Sequence, residues 1–195
     1  YRLLIIFIPT IVFLQNGCKV VYSEMDVFWM KSPLVIEDRG LDMQISKHAG
    51  SIKMVNMGLW IAQPSTAMQN ALWTTTQWLA SDSYIECYDQ SIFDIMVRQD
   101  ATDDFPYRCP SHVFQSLQRA LTDRAVTTLN FKYIPDTLVP HLCRCHNKTK
   151  MARHMRHLRT PSLPANVLAN PSSVIAVHIW SAGGTIPARI GMARD

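Results

Sequence analysis

The sequence predicts an α/β domain in which short strands and helices are mixed and joined by short connections. Three observations predict it. Segments with strand and helix periodicity are interspersed along the chain. Hydrophobic residues make up 48% and charged residues 17% of 195 positions, an ordinary globular composition. No internal repeat is visible. This length suits one domain with a sizeable core, so a single domain is expected over residues 1–195.

The first element is apolar from Leu3 to Leu14 except at Pro9 and Thr10. The run is well short of the roughly 20 residues needed to cross a bilayer. A buried helix ending near Asn16-Gly17 is expected, with the glycine as its stop. The tail of a signal anchor cut by the chain start is the alternative.

Lys19 to Ser23 reads as a short buried strand, and Pro33 closes the segment after it. Asp42 to Ser46 reads as another, with Met43 and Ile45 on one face. Ile52 to Ile61 holds a strand interrupted at Asn56-Met57-Gly58. Ser65 or Thr66 caps a helix running to about Leu79, with Met68, Leu72, Thr75 and Leu79 inward. Asp89 opens a helix carrying Ile92, Phe93 and Met96. Val113, Leu117 and Leu121 mark one more. Val126 to Tyr133 and Val174 to His178 read as strands.

The net charge is +4, but the excess is local. Six of the 19 basic residues lie between Arg144 and Arg159, leaving 13 against 15 acidic ones elsewhere. That run reads as an exposed basic loop at about 144–164 that touches solvent, an anionic acceptor or a membrane surface. Cys143, just before it, and Cys145, His154 and His157 within it are spaced too tightly for an ordinary zinc site. No aromatic residue interleaves with its cations, which argues against nucleic-acid stacking. The five cysteines are irregularly placed and do not form a dense disulfide framework. Asn147-Lys148-Thr149 fits an N-glycosylation acceptor.

The stretch VVYSEMDVFWMKSP, Val20 to Pro33, carries the chemistry. An apolar strand runs into two carboxylates one residue apart. In an extended chain Glu24 and Asp26 would project together, with Met25 opposite. Ligands bind beyond the carboxyl ends of strands in open α/β sheets, and two such carboxylates suit a hard divalent cation. Two solvated acids in a strand-end turn are the plainer alternative.

The segment GCKVVYSEMDVFWMKSP resembles the core of the nucleotide-diphospho-sugar transferase family of GT-A glycosyltransferases, which carry a strand, D-x-D and an aromatic-rich segment closing at Pro. The likeness continues through Asp42 to Ser46, Asn56-Met57-Gly58, a helix with Trp78, Tyr88-Asp89-Gln90, Leu129 to Pro135 and Val174 to His178. The resemblance implies a GT-A-like mixed sheet flanked by helices. It implies a metal-dependent glycosyltransferase (EC 2.4 class) moving a sugar from a nucleotide-diphosphate donor to a hydroxyl of a glycan or protein acceptor. Glu24 and Asp26 take the D-x-D positions, binding Mn²⁺ or Mg²⁺ and the donor diphosphate. His178 completes the metal site. Asn56 and Gly58 line the donor-sugar or acceptor side. Asp89 and Gln90 face the transferred sugar, with Asp89 the catalytic or acceptor-orienting carboxylate. From residue type alone, His178 is more often a strand-end residue with no ligand role, Asp89 a residue favoured by the helix dipole, and Asn56-Met57-Gly58 only a bulge or turn.

The sequence departs from the family pattern at three places. Glu24 stands where the family usually has Asp. No lysine follows His178, and Arg189 is the nearest cation. The strand and loop that hold the nucleobase would precede Leu3, so an N-terminally truncated domain is expected. When full length, residence in the Golgi or another secretory-pathway lumen as a type II membrane protein follows, with membrane association through an N-terminal anchor upstream. A catalytically inactive GT-A-like structural or interaction protein is the second reading. A hydrolase is disfavoured, because neither G-x-S-x-G nor H-E-x-x-H occurs.

Overall fold

A computed structural model describes residues 2–48, 54–81, 89–99, 110–143 and 171–180. The basic run, the glycosylation acceptor, His154, His157 and Arg189 lie outside those residues. Four helices are described: α1 (Arg2–Gln15), α2 (Thr66–Ser81), α3 (Asp89–Arg98) and α4 (Ser111–Asp123). Seven strands accompany them: β1 (Val20–Ser23), β2 (Val27–Trp29), β3 (Met43–Lys47), β4 (Val55–Ala62), β5 (Phe131–Tyr133), β6 (His141–Cys143) and β7 (Ala176–Trp180). One sheet has the order β1-β4-β3-β5 and a second the order β2-β7-β6. In the second, β2 runs antiparallel and β6 parallel to β7. The expected α/β class with mixed strand directions is therefore found.

The chain forms two compact units. The first comprises Tyr1–Val21, Asp38–Ile45 and Trp60–Lys132 and contains all four helices. Leu3, Phe7, Ile11 and Leu14 form the buried stripe of α1 at helical spacing. The helix stops as its sequence dictates. Gly17 takes a left-handed φ of 74°, while Gly17 N–H donates to the Leu14 carbonyl (3.0 Å) and Cys18 N–H to that of Phe13 (3.0 Å). That is the paired-bond cap a glycine permits. The helix is not buried all round, because Ile5, Ile8, Val12 and Phe13 are exposed. No described helix is long and apolar enough to cross a membrane.

Ser65 Oγ accepts from Met68 N–H (3.1 Å) at the start of α2, the N-cap role expected of it. The α4 stripe is Val113, Leu117 and Leu121, as its periodicity predicts. Phe93 of α3 stacks against Phe7 and Trp60, with ring centroids 6.0 and 5.8 Å apart.

The second unit comprises Tyr22–Glu37, Ser46–Leu59 and Tyr133–Asp195. Its core packs Val27, Leu59, Ile134, Val139 and Ala176, flanked by Trp29, Ile36 and Leu138.

Several element readings are corrected. Asn56-Met57-Gly58 does not interrupt β4, which runs unbroken from Val55 to Ala62. Residues 43–46 of β3 are all buried, so its two faces do not differ as alternation suggested. The segment from Val126 does not join a strand until Phe131, and its first residue still completes the end of α4. Ala125 has φ 48°, and Val126 N–H donates to the Leu121 carbonyl (3.0 Å). Strands β2 and β6 were not foreseen.

Candidate metal centre

The Glu24–Asp26 segment is a turn and not an extended strand end. Val27 N–H donates to the Glu24 carbonyl (3.1 Å), closing residues 24–27 into a turn between β1 and β2. The two carboxylates converge because the chain reverses there, and Met25 at the tip is 88% exposed. The outcome expected from strand alternation is met by a different backbone.

A second constraint fixes each side of the turn. Glu24 N–H donates to the Gly58 carbonyl on β4 (2.8 Å). Just past Asp26, Val27 pairs with His178 across the antiparallel β2–β7 ladder. Pairing thus brings His178, some 150 positions away in sequence, beside the carboxylate pair. Its Nε2 lies 3.4 Å from Asp26 Oδ1. Asp26 and His178 are buried, and Glu24 is half-buried.

One ligand atom from each of Glu24, Asp26 and His178 falls within 4.8 Å of the others. Two ligands on one ion at about 2.0–2.6 Å can stand no more than about 4–5 Å apart, so the spacing fits a single ion. The donor set fits as well. Two carboxylate oxygens and an imidazole nitrogen suit a divalent cation. Burying one acid beside another is costly unless positive charge compensates.

Gly58 forms the wall against which these side chains close. A Cβ built on it would stand 2.7 Å from His178 Cε1, 2.8 Å from Asn56 Oδ1 and 3.1 Å from Glu24 Oε2. Asn56 Oδ1 also accepts from Gly58 N–H (2.7 Å). Five residues named from sequence (Glu24, Asp26, Asn56, Gly58 and His178) therefore meet in one place. Asp89 and Gln90 belong to the first unit, in the opening turn of α3. There Asp89 Oδ1 accepts from Gln90 N–H (2.8 Å) and Gln90 is buried, consistent with an acid favoured at a helix start.

Two features escaped the sequence. One is the buried Asp94 of α3, held by the Arg98 guanidinium with both Asp94 oxygens 2.9 Å from Arg98 Nε. Its i,i+4 spacing was the available signal. The other is a cleft of about 410 Å³ lined by Thr74, Gln77, Trp78, Ala80, Ala120 and Arg124. None of the metal-centre residues lines it.

A mixed α/β fold with an acid–imidazole cluster where β1 turns into β2 is consistent with a protein of the nucleotide-sugar transferase class. The family model described as nucleotide-diphospho-sugar transferase matches residues 10–170, and the chain belongs to that family. No curated protein and no solved structure matches the chain. Family membership supports a transferase that uses a nucleotide-sugar donor and an acceptor. The matched span includes Glu24 and Asp26 but ends before His178, whose place in the cluster rests on geometry alone.

Proposed function

We propose that the chain is a metal-dependent glycosyltransferase that transfers a sugar from a nucleotide-diphosphate donor to an acceptor hydroxyl. The observation that carries the proposal is the convergence of Glu24, Asp26 and His178 within 4.8 Å in a member of this family. Those three residues would hold Mn²⁺ or Mg²⁺. The ion would neutralise negative charge on the departing diphosphate, the type of electrostatic stabilisation that is usually the largest catalytic contribution.

The chain's own part is to present the ligands preassembled. The 24–27 turn aims both carboxylates, and the β2–β7 register fixes the imidazole, so little ordering remains when the ion arrives. Burial of Asp26 and His178 limits competition from water and strengthens their interaction with charge. The assignment of Asp89 and Gln90 to the transferred sugar rests on the resemblance and not on the cluster.

The test is Mn²⁺ binding in the presence of a uridine or guanosine diphosphate, followed by donor turnover. Asp26→Ala should abolish metal-dependent turnover while leaving the far-ultraviolet circular dichroism unchanged. Normal turnover by that variant would falsify the assignment.

A further inference from the structure

We propose that Gly58 is a positioning residue of the metal centre: its missing side chain is the space in which the His178 imidazole and the Glu24 carboxylate meet. The inference rests on the metal reading above and goes beyond it to a residue that offers no ligand atom.

Glycine is not needed at this position for its backbone. Gly58 lies inside β4, and among described glycines only Gly17 has a positive φ. The requirement is steric. A Cβ here would meet His178 Cε1 at 2.7 Å, Asn56 Oδ1 at 2.8 Å and Glu24 Oε2 at 3.1 Å. The first two distances are closer than real Cβ atoms essentially ever come to another atom, and the third requires the carboxylate to give way by a few tenths of an ångström. The contacts with His178 and Glu24 are with groups that carry proposed ligand atoms, and Cε1 is bonded to both imidazole nitrogens. An added methyl therefore acts on two of the three ligands at once.

The imidazole has little freedom to step aside. His178 is 2% exposed, and its backbone is held on one side by Val27 and on the other by His141. The glycine is held as firmly. Its carbonyl accepts from Glu24 N–H at 2.8 Å, and its N–H donates to Asn56 Oδ1 at 2.7 Å. On β4, residues 56 and 58 share a face, so Asn56 closes over the glycine from the same side as the cluster. Leu59 points to the other face, into the core with Val27 and Ala176. Neither wall can yield without disturbing the sheet or the core. The displacement falls on the ligands, and a divalent ion with strict distance requirements registers it as lost affinity.

The test is a double-mutant cycle of Gly58→Ala and His178→Ala, with two readouts. Mn²⁺ dissociation constants are measured from the free-ion electron paramagnetic resonance signal, and Tm is measured without metal. Gly58→Ala should weaken Mn²⁺ binding at least tenfold, in line with the about 10–100-fold loss from disturbing groups that orient ligands. In the His178→Ala background the same substitution should cost much less in both readouts, because its closest collision is gone. If wild-type protein binds no Mn²⁺, the metal reading fails and this inference falls with it. If wild type binds and Gly58→Ala binds equally well, the metal reading survives and the positioning role is overturned. Equal losses in both backgrounds also overturn it. Should Gly58→Ala fail to fold, the double variant decides: recovery of folding assigns the collision to His178 and supports the positioning role, and continued failure assigns it to Asn56 and overturns that role.

Discussion

Replacing His178 with alanine tests whether the imidazole is a ligand or only a buried strand residue. The ring is 2% exposed and rests on Gly58, so its removal leaves space in a packed region. The metal-free protein should lose about 1–3 kcal/mol of stability on that account. The effect on metal is separate and larger. Disturbing a group that merely orients a ligand costs about 10–100-fold in affinity. Removing one of three ligands should therefore cost at least about 100-fold.

Mass action turns this into a thermal assay. At a Mn²⁺ concentration 100 times the wild-type Kd, binding stabilises wild type by about 2.7 kcal/mol. The same concentration equals the variant's Kd and contributes only about 0.4 kcal/mol. At about 2–4 °C per kcal/mol for a chain of this size, wild type should gain about 5–11 °C on adding Mn²⁺ and the variant about 1–2 °C. The measurement is differential scanning calorimetry with and without Mn²⁺, because a chain with two compact units can show two transitions. An Mn²⁺-induced rise in His178→Ala equal to that of wild type would refute the ligand role, whatever happened to the metal-free Tm.

Two further predictions concern the first unit. Arg98→Ala withdraws the guanidinium from the fully buried Asp94 carboxylate and should cost about 3–5 kcal/mol in urea unfolding, with the Mn²⁺ affinity unchanged; a loss below about 1 kcal/mol would mean that solvent reaches the pair. Gly17 and Ala125 occupy equivalent left-handed positions, with φ 74° and 48°, so Gly17→Ala should lower stability and Ala125→Gly raise it, each by about 0.5–1 kcal/mol; the same sign from both substitutions in chemical denaturation would contradict the account.

Helices were legible because their signals are local and repeated. The α4 stripe of Val113, Leu117 and Leu121 and the Gly17 stop of α1 lie within a few residues of one another, so pattern and cap reinforce each other. Strands β2 and β6 have three residues each, too few for any period to show. The end of the fourth helix misled because Ala125 adopts a glycine-like conformation that composition does not announce. Strand β3 misled because burial on both faces removes the alternation by which a half-buried strand is recognised.

The metal centre divides along the same line. The carboxylate pair was readable as two acids after an apolar strand, although the turn that brings them together was not. The contribution of His178 depends on register between segments some 150 residues apart, which neither segment shows when read by itself. Side chains alternate across a sheet, so a slip of one residue would exchange His178 for Val177 or Ile179 opposite Val27 and turn the imidazole to the other face. What holds the register is packing immediately beside the chemistry. Val27 and Ala176 are both buried with Leu59, while Met30 and Lys31 N–H groups donate to the Ile175 carbonyl (2.8 and 3.1 Å). Apolar residues flanking the acids on one strand and the histidine on the other thus determine which polar side chains meet.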